Sequence, residues 1–302
     1  MYVVNTKNLT KKFNKHVAVK DLNICIPKGT ICGFLGPNGS GKTTTIRMIL
    51  GLAKPTSGEI NIFNSPINEN KEKILNRVGA LVDSPSYYEH LSGYENLKIM
   101  QLIHNVDEIR IKQVLEIVEL TDAGSKRVKD YSLGMKQRLG IAIALIHNPE
   151  LIILDEPTNG LDPSGIKKIR NLLIELSEKL GISIIVSSHN LFEIEQMCSY
   201  VCLIDEGRLL YQGEINSLIS QYNNISVYFR TDDNHNAMRL IENFNIKKTG
   251  DYIEILNIGD KEIAEINKLF FVNNINIYEI YHKKLSLEGV FLSLTDEERD
   301  RA

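Results

Sequence analysis

Gly36-Pro37-Asn38-Gly39-Ser40-Gly41-Lys42-Thr43 is the stretch whose reading decides the fold. It matches G-x-x-x-x-G-K-[ST] and sits between an apolar run, Thr30 to Leu35, and a helix-forming stretch, Thr43 to Leu50. Strand, loop and helix in that order are the context in which such a match carries chemistry. Glycines let the backbone curl so that successive N–H groups point inward at an anion, and the positive end of the following helix is aimed at the same place. Lys42 supplies a full positive charge for the β- and γ-phosphates of ATP, which makes it a catalytic as well as a binding candidate. The Thr43 hydroxyl is suited to ligate the magnesium ion, Mg2+, that bridges those phosphates. Gly36, Pro37, Asn38, Gly39, Ser40, Gly41 and Thr44 complete the nucleotide-binding candidates of this segment. A dinucleotide-binding G-x-G-x-x-G turn would explain neither Lys42 nor Thr43.

Further along, Leu151-Ile152-Ile153-Leu154 is an apolar strand that delivers Asp155 and Glu156 at its carboxyl end. Ligands of open α/β sheets gather at that end. Asp155 is placed to hold magnesium, directly or through water, and Glu156 to polarise an attacking water as general base. Together with the phosphate loop these two acids specify a P-loop NTPase.

Around these motifs the chain alternates. Val3-Val4 and Leu22 to Ile26 read as β-structure ahead of the loop, residues 85–148 as a helical insert with apolar residues at helical spacing (Ile111, Val114, Leu115, Val118), Ser164 to Leu180 as an amphipathic helix, and Ile182 to Val186 as a strand. That alternation predicts a mainly parallel sheet covered by helices. From about residue 223 the chemistry-bearing residues stop. Strand-like stretches Ile225 to Arg230, Tyr252 to Ile258 and Ile275 to Tyr281, with two helix-like pieces, predict a small α+β accessory domain at 223–302 after a first domain at 1–222. The accessory segment is read equally as a dimer contact, a regulatory sensor or packing for the core.

The 302 residues carry a net charge of −3, with 43% hydrophobic and 24% charged residues, which suits one large and one small globular domain. No stretch approaches the roughly 20 uninterrupted apolar residues of a membrane helix, and the first residues lack the pattern of a secretory signal, so a cytoplasmic location is expected. Lysines are scattered and the net charge is negative, so nucleic-acid binding is not expected. Cys25, Cys32, Cys198 and Cys202 lie in apolar contexts without metal-ligand spacing and read as reduced core thiols.

Three further segments resemble the ABC ATPase family over the first 220 or so residues. Tyr131-Ser132-Leu133-Gly134-Met135-Lys136-Gln137-Arg138 is similar to that family's LSGGQ-x-Q-R signature, with Leu133 in place of a glycine and Met135 in place of the glutamine. Asn159-Gly160-Leu161-Asp162-Pro163 resembles its D-loop, and Ser187-Ser188-His189 its switch histidine. The resemblance implies an ABC-type cassette: a mostly parallel sheet with antiparallel β and helical subdomains. It implies that Ser132 and Gly134 of one subunit meet the γ-phosphate of ATP held by a second copy, that Asp162 couples the two sites, and that His189 acts as a further catalytic residue at the γ-phosphate. Phe13 stands where the family commonly stacks a tyrosine on adenine; a buried core position is the competing reading. Asp83 stands where the family has a magnesium-contacting glutamine.

Asp83, the Ser-Leu-Gly-Met-Lys-Gln-Arg segment and Leu285 to Phe291 look like the bacitracin and lantibiotic resistance branch of that family. The branch implies an ATP-hydrolysing, membrane-peripheral subunit that works with separate transmembrane permease subunits to expel or clear a peptide antibiotic. The stretch from Pro85 to Tyr88 and from Glu95 to Leu97 either grips such a subunit or is a plain solvated helix pair. The alternative function is a soluble ABC-type ATPase acting on a non-membrane partner such as the ribosome. Such proteins usually carry two cassettes or a long coiled coil, whereas this chain has one phosphate loop and no sustained heptad run.

Overall fold

The computed structural model describes residues 1–82, 87–222, 226–256, 258–283 and 286–301. The chain divides into two compact units, Met1–Asn216 with Ser293–Ala302, and Ser217–Leu292. In the first, the order is β1 (Tyr2–Phe13), β2 (His16–Leu22), β3 (Cys25–Pro27), β4 (Ile31–Leu35), α1 (Lys42–Ile49), β5 (Ser57–Ile62), β6 (Ser65–Pro66), α2 (Ile67–Leu75) and β7 (Val78–Leu81). A helical stretch follows, with α3 (Gly93–His104), α4 (Ile109–Ile117), a short 3-10 turn at Val128–Asp130 and α5 (Leu133–Leu145). The α/β alternation then resumes with β8 (Leu151–Asp155), α6 (Pro163–Leu180), β9 (Ser183–Ser188), α7 (Leu191–Glu195), β10 (Tyr200–Asp205) and β11 (Arg208–Glu214), and α8 (Ile215–Tyr222) starts at the end of this unit and runs into the second.

Two sheets share the first core. The order β11-β10-β4-β9-β8-β7 builds the central sheet, parallel throughout except for β11 at its edge. Its inner strands are near-continuous apolar runs because both faces are covered: every residue of β4 and of β9 is buried. The second sheet, β2-β1-β5-β6 with β3 also on β1, is antiparallel. Val4, Leu9, Ile24 and Ile62 from that layer pack with Phe34, Ile46, Ile153 and Ile185 around α1 and the central sheet. The phosphate loop is thereby held between two rigid layers.

Local sequence sets the helix starts. Ser92 caps α3 in a full capping box with Glu95, Ser132 caps α5, and Asp162 caps α6 with Pro163 at the first helical position. The stretch Leu22 to Ile26, expected as one piece of β-structure, breaks after Leu22. Asp21 adopts φ 47° and the Asn23 amide donates to the Asp21 carbonyl, so the chain turns before β3 begins.

The second unit runs β12 (Ser226–Thr231), α9 (Asn234–Leu240), β13 (Ile246–Thr249), β14 (Tyr252–Leu256), α10 (Asp260–Val272) and β15 (Ile277–Lys283), and α11 (Leu287–Arg301) begins in it. The β-α-β-β-α-β order with antiparallel strands arranged β13-β14-β12-β15 is a split βαβ sandwich. Val227, Phe229, Ile253 and Ile255 form its core with Ile266 and Phe270. The sequence reading missed β13 because Ile-Lys-Lys-Thr buries no residue fully, which leaves no apolar alternation at this edge of the sheet. It also missed α11, and the expected start of β12 at Ile225 lies outside the described residues.

Candidate nucleotide site

The phosphate loop has the shape its glycines call for. Gly41, at φ 102°, caps α1, and a Cβ there would lie 2.6 Å from the Ala18 carbonyl oxygen. A Cβ on Gly36 would lie 2.0 Å from the Ile204 carbonyl oxygen. Lys42, the first residue of α1, is buried and folds back over the loop, its Nζ donating to the carbonyls of Gly36 at 2.7 Å and Pro37 at 3.1 Å. Burial lowers its pKa below the usual lysine value, and the carboxylates of Glu156 and Asp155 pull it back up. Ser40 Oγ is buried without a hydrogen-bond partner. A loop with an unpaired hydroxyl and a cation resting on its own carbonyls is built to take an anionic guest.

Asp155 closes β8 directly beside this loop. Thr43 Oγ1 donates to Asp155 Oδ2 at 2.8 Å, and Ser187 Oγ, from the neighbouring strand β9, donates to Asp155 Oδ1. Glu156 follows with φ 51°, a left-handed conformation uncommon for a non-glycine residue, and its N–H donates to Ser187 Oγ at 2.9 Å. Its carboxylate Oε2 lies 2.9 Å from Nδ1 of the exposed His189. Thr43 and Asp155 offer hard oxygen ligands of the kind Mg2+ takes. Among the described residues no group of three or more His, Cys, Asp or Glu side chains is placed to hold a metal ion.

Most of the sequence candidates line one of two cavities, and Gly36, Pro37, Ser40, Asp155 and His189 line neither. Phe13, Asn38, Gly39, Gly41, Lys42, Thr43, Thr44 and Glu156 line one cavity of about 370 Å³ together with His16 and Ala18. Phe13 is 51% exposed, so the core reading of this residue is excluded. Ser132, Gly134 and Asp162 line a different cavity of about 330 Å³, with Leu133 and Met135 among its walls, and the two cavities share no residue. In the second cavity Ser132 Oγ accepts the Met135 N–H at 3.3 Å and Asp162 accepts the Gly165 N–H at 3.1 Å, each capping its helix. Asp83, with Pro85 and Ser86, lies outside the described residues. Three of the cysteines are buried thiols, whereas Cys25 is only partly covered.

Sequence reasoning assigned no role to Ser187, which touches both acids, or to His16 and Ala18. The signal for Ser187 was faint: a hydroxyl ending an apolar strand. Its meaning depends on the register Asp155↔Ser187 between β8 and β9, and no sequence motif prints a register.

A strand-loop-helix phosphate cradle, strand-borne acids and a switch histidine on one sheet define an ATP-binding cassette. The sequence pattern of the ABC transporter family matches residues 19–159. The bacitracin transport ATP-binding protein BcrA of Bacillus licheniformis is 44% identical over 299 residues, covering 97% of this chain and 97% of that protein. The lantibiotic transport ATP-binding protein SrtF of Streptococcus pyogenes is 41% identical over 212 residues, covering 70% and 91%. Among solved structures, cbiO1 of Clostridium perfringens, part of the ABC transporter complex cbiONQ, superposes with a TM-score of 0.66 at 29% identity over 74% of this chain and 94% of its own. A dimeric post-hydrolysis state of the ATP-binding cassette MJ0796, bound to ADP and Pi, superposes with a TM-score of 0.63 at 27% identity over 70% and 98%. The chain belongs to the ATP-binding proteins of ABC transporters, ATPases of the P-loop class, and within them it resembles the bacitracin and lantibiotic transport proteins. No helix among the described residues is long and apolar enough to cross a membrane.

Proposed function

We propose that this chain, with its ATPase domain at 1–222 and accessory domain at 223–302, powers the export or clearance of a peptide antibiotic or another amphipathic compound. It would lie on the inner face of the cell membrane, held there by separate transmembrane permease subunits. The observation that carries this reading is the end-to-end correspondence with the bacitracin transport protein, which extends through the accessory unit as well as the ATPase unit. No feature of the described residues favours a ribosomal partner over a membrane one.

The two cavities account for the working cycle. Each chain carries an acceptor half, the Phe13 to Thr44 cavity, and a donor half, the Ser132 and Asp162 cavity. Two copies facing each other would complete two ATP sites, with Ser132 and the start of α5 aimed at the γ-phosphate bound by the other copy. Phe13 offers its ring to adenine. Thr43 and Asp155 would hold the Mg2+ of the nucleotide, whose charge neutralises the phosphates during transfer. Glu156 would accept the proton of the attacking water, and His189 holds the Glu156 carboxylate through its Nδ1.

The test is an affinity purification of tagged Glu156→Gln from membranes of the native host, with ATP and magnesium. A stoichiometric membrane-spanning protein should co-purify, and the deletion strain should become more sensitive to bacitracin-like peptides. Recovery of ribosomal proteins instead would reject the transporter reading.

A further inference from the structure

Ser187 is fully buried at the carboxyl end of β9, one strand over from the acids, in register with Asp155. We infer that Ser187 is a positioning residue for hydrolysis: its hydroxyl fixes the Asp155 carboxylate and the Glu156 backbone together, tying the acid that faces the cation to the general base. This rests on the roles proposed above for those two acids.

A hydroxyl has one proton and two lone pairs, and here they divide cleanly. The proton goes to Asp155 Oδ1, and a lone pair receives the Glu156 N–H. Because Oδ1 is occupied, Oδ2 is the oxygen that meets Thr43, on the phosphate-loop side. When the Thr43 hydroxyl turns a lone pair to a cation, Oδ2 is the oxygen set free, while Ser187 keeps the carboxylate from rotating. On the other arm, the Glu156 N–H bond supports a left-handed backbone at φ 51°, and that turn carries Oε2 to His189. The adjacent Ser188 is engaged elsewhere, its Oγ accepting the Asn190 N–H at 2.9 Å.

A hydroxyl present only to satisfy buried polarity would affect stability and leave the balance of binding and turnover alone. Ser187→Thr and Ser187→Val separate the cases, since both add similar bulk and only Thr keeps the hydroxyl, while Ser187→Ala tests the same loss without added bulk. Folding is checked by thermal unfolding and by binding of a non-hydrolysable ATP analogue in EDTA. Val and Ala should lose about tenfold or more in kcat, the size of one lost hydrogen bond to a charged acceptor, while analogue affinity in EDTA stays that of the parent. By calorimetry, the gain in analogue affinity that magnesium gives over EDTA should shrink by a similar factor, and Thr should recover both. Should the Thr methyl itself impair the enzyme, Ala against the parent decides. Turnover and magnesium gain in Ala equal to the parent would overturn the inference. Glu156→Gln, measured alongside, keeps the two readings apart. If it hydrolyses normally, the general-base assignment fails; if it is inactive while Ser187→Ala is normal, only the role of Ser187 fails.

Discussion

Nδ1 of His189 lies 2.9 Å from Oε2 of Glu156, and this contact joins the ends of two parallel neighbouring strands, β8 and β9. It holds the carboxylate toward the cavity that Phe13 and the phosphate loop also line. His189→Ala should lower kcat about 10²-fold, within the range for a lost acid–base element, while nucleotide affinity changes little. A phosphate-release assay beside a calorimetric titration reads both quantities.

Lys42 rests on two loop carbonyls that also compose the cradle. Lys42→Ala removes the only full positive charge of the loop and should weaken ATP binding by about 10-fold to 100-fold, as expected for losing charge-assisted contacts. Calorimetry with the parent and the variant decides it; equal affinities would remove Lys42 from the site.

Phe13 is exposed beside the phosphate loop, with Lys11 Nζ 5.0 Å from its ring centroid. If its ring stacks on adenine, Phe13→Ala should cost about 1–3 kcal/mol of ATP affinity and Phe13→Tyr almost none. Inorganic triphosphate, which lacks a base, should bind both variants alike.

Asp162 caps α6, so two effects must be separated. Asp162→Ala should lower stability by about 1 kcal/mol through the lost cap, whereas Asp162→Asn retains a capping oxygen and should be near neutral. Comparing ATP-driven association of the two variants by light scattering shows whether the charge itself acts between copies. Association of the Asn variant equal to the parent would assign Asp162 to the cap alone.

His147 stacks on His104 with centroids 4.4 Å apart, and its Nε2 lies 3.2 Å from the Val78 carbonyl oxygen. Burial, aided by His104, lowers its pKa from the usual 6.5. A histidine held neutral in the fold contributes stability that is complete above about pH 6.5 and declines as pH falls toward the folded pKa, because the unfolded chain binds the proton first. The melting temperature should therefore fall between pH 7.5 and 5.5, and His147→Gln should fall less steeply across that interval.

The phosphate loop, the strand before it and the acids at the end of β8 were legible in sequence because each is local: glycine conformations, a strand-to-helix turn and residues adjacent in the chain. The caps at Ser92, Ser132 and Asp162 are equally local, a side chain and an N–H three residues on, but those of Ser92 and Asp162 were not read from the sequence. β13 was hidden because two lysines mask its strand character, and Phe13 stood undecided between core and surface because burial is a property of neighbours.

Sequence alone determined the class of chemistry, since a cradle of N–H groups, a lysine, a hydroxyl and two carboxylates require only short-range spacing. The tertiary structure decided how those groups meet. Ser187 touches both acids through a sheet register between strands about 30 residues apart in the chain, and Ser132 and Asp162 share a cavity separate from that of Lys42 and Glu156. Such relations depend on which strands lie side by side and how they are packed, and packing is set by the whole core rather than by any segment of it.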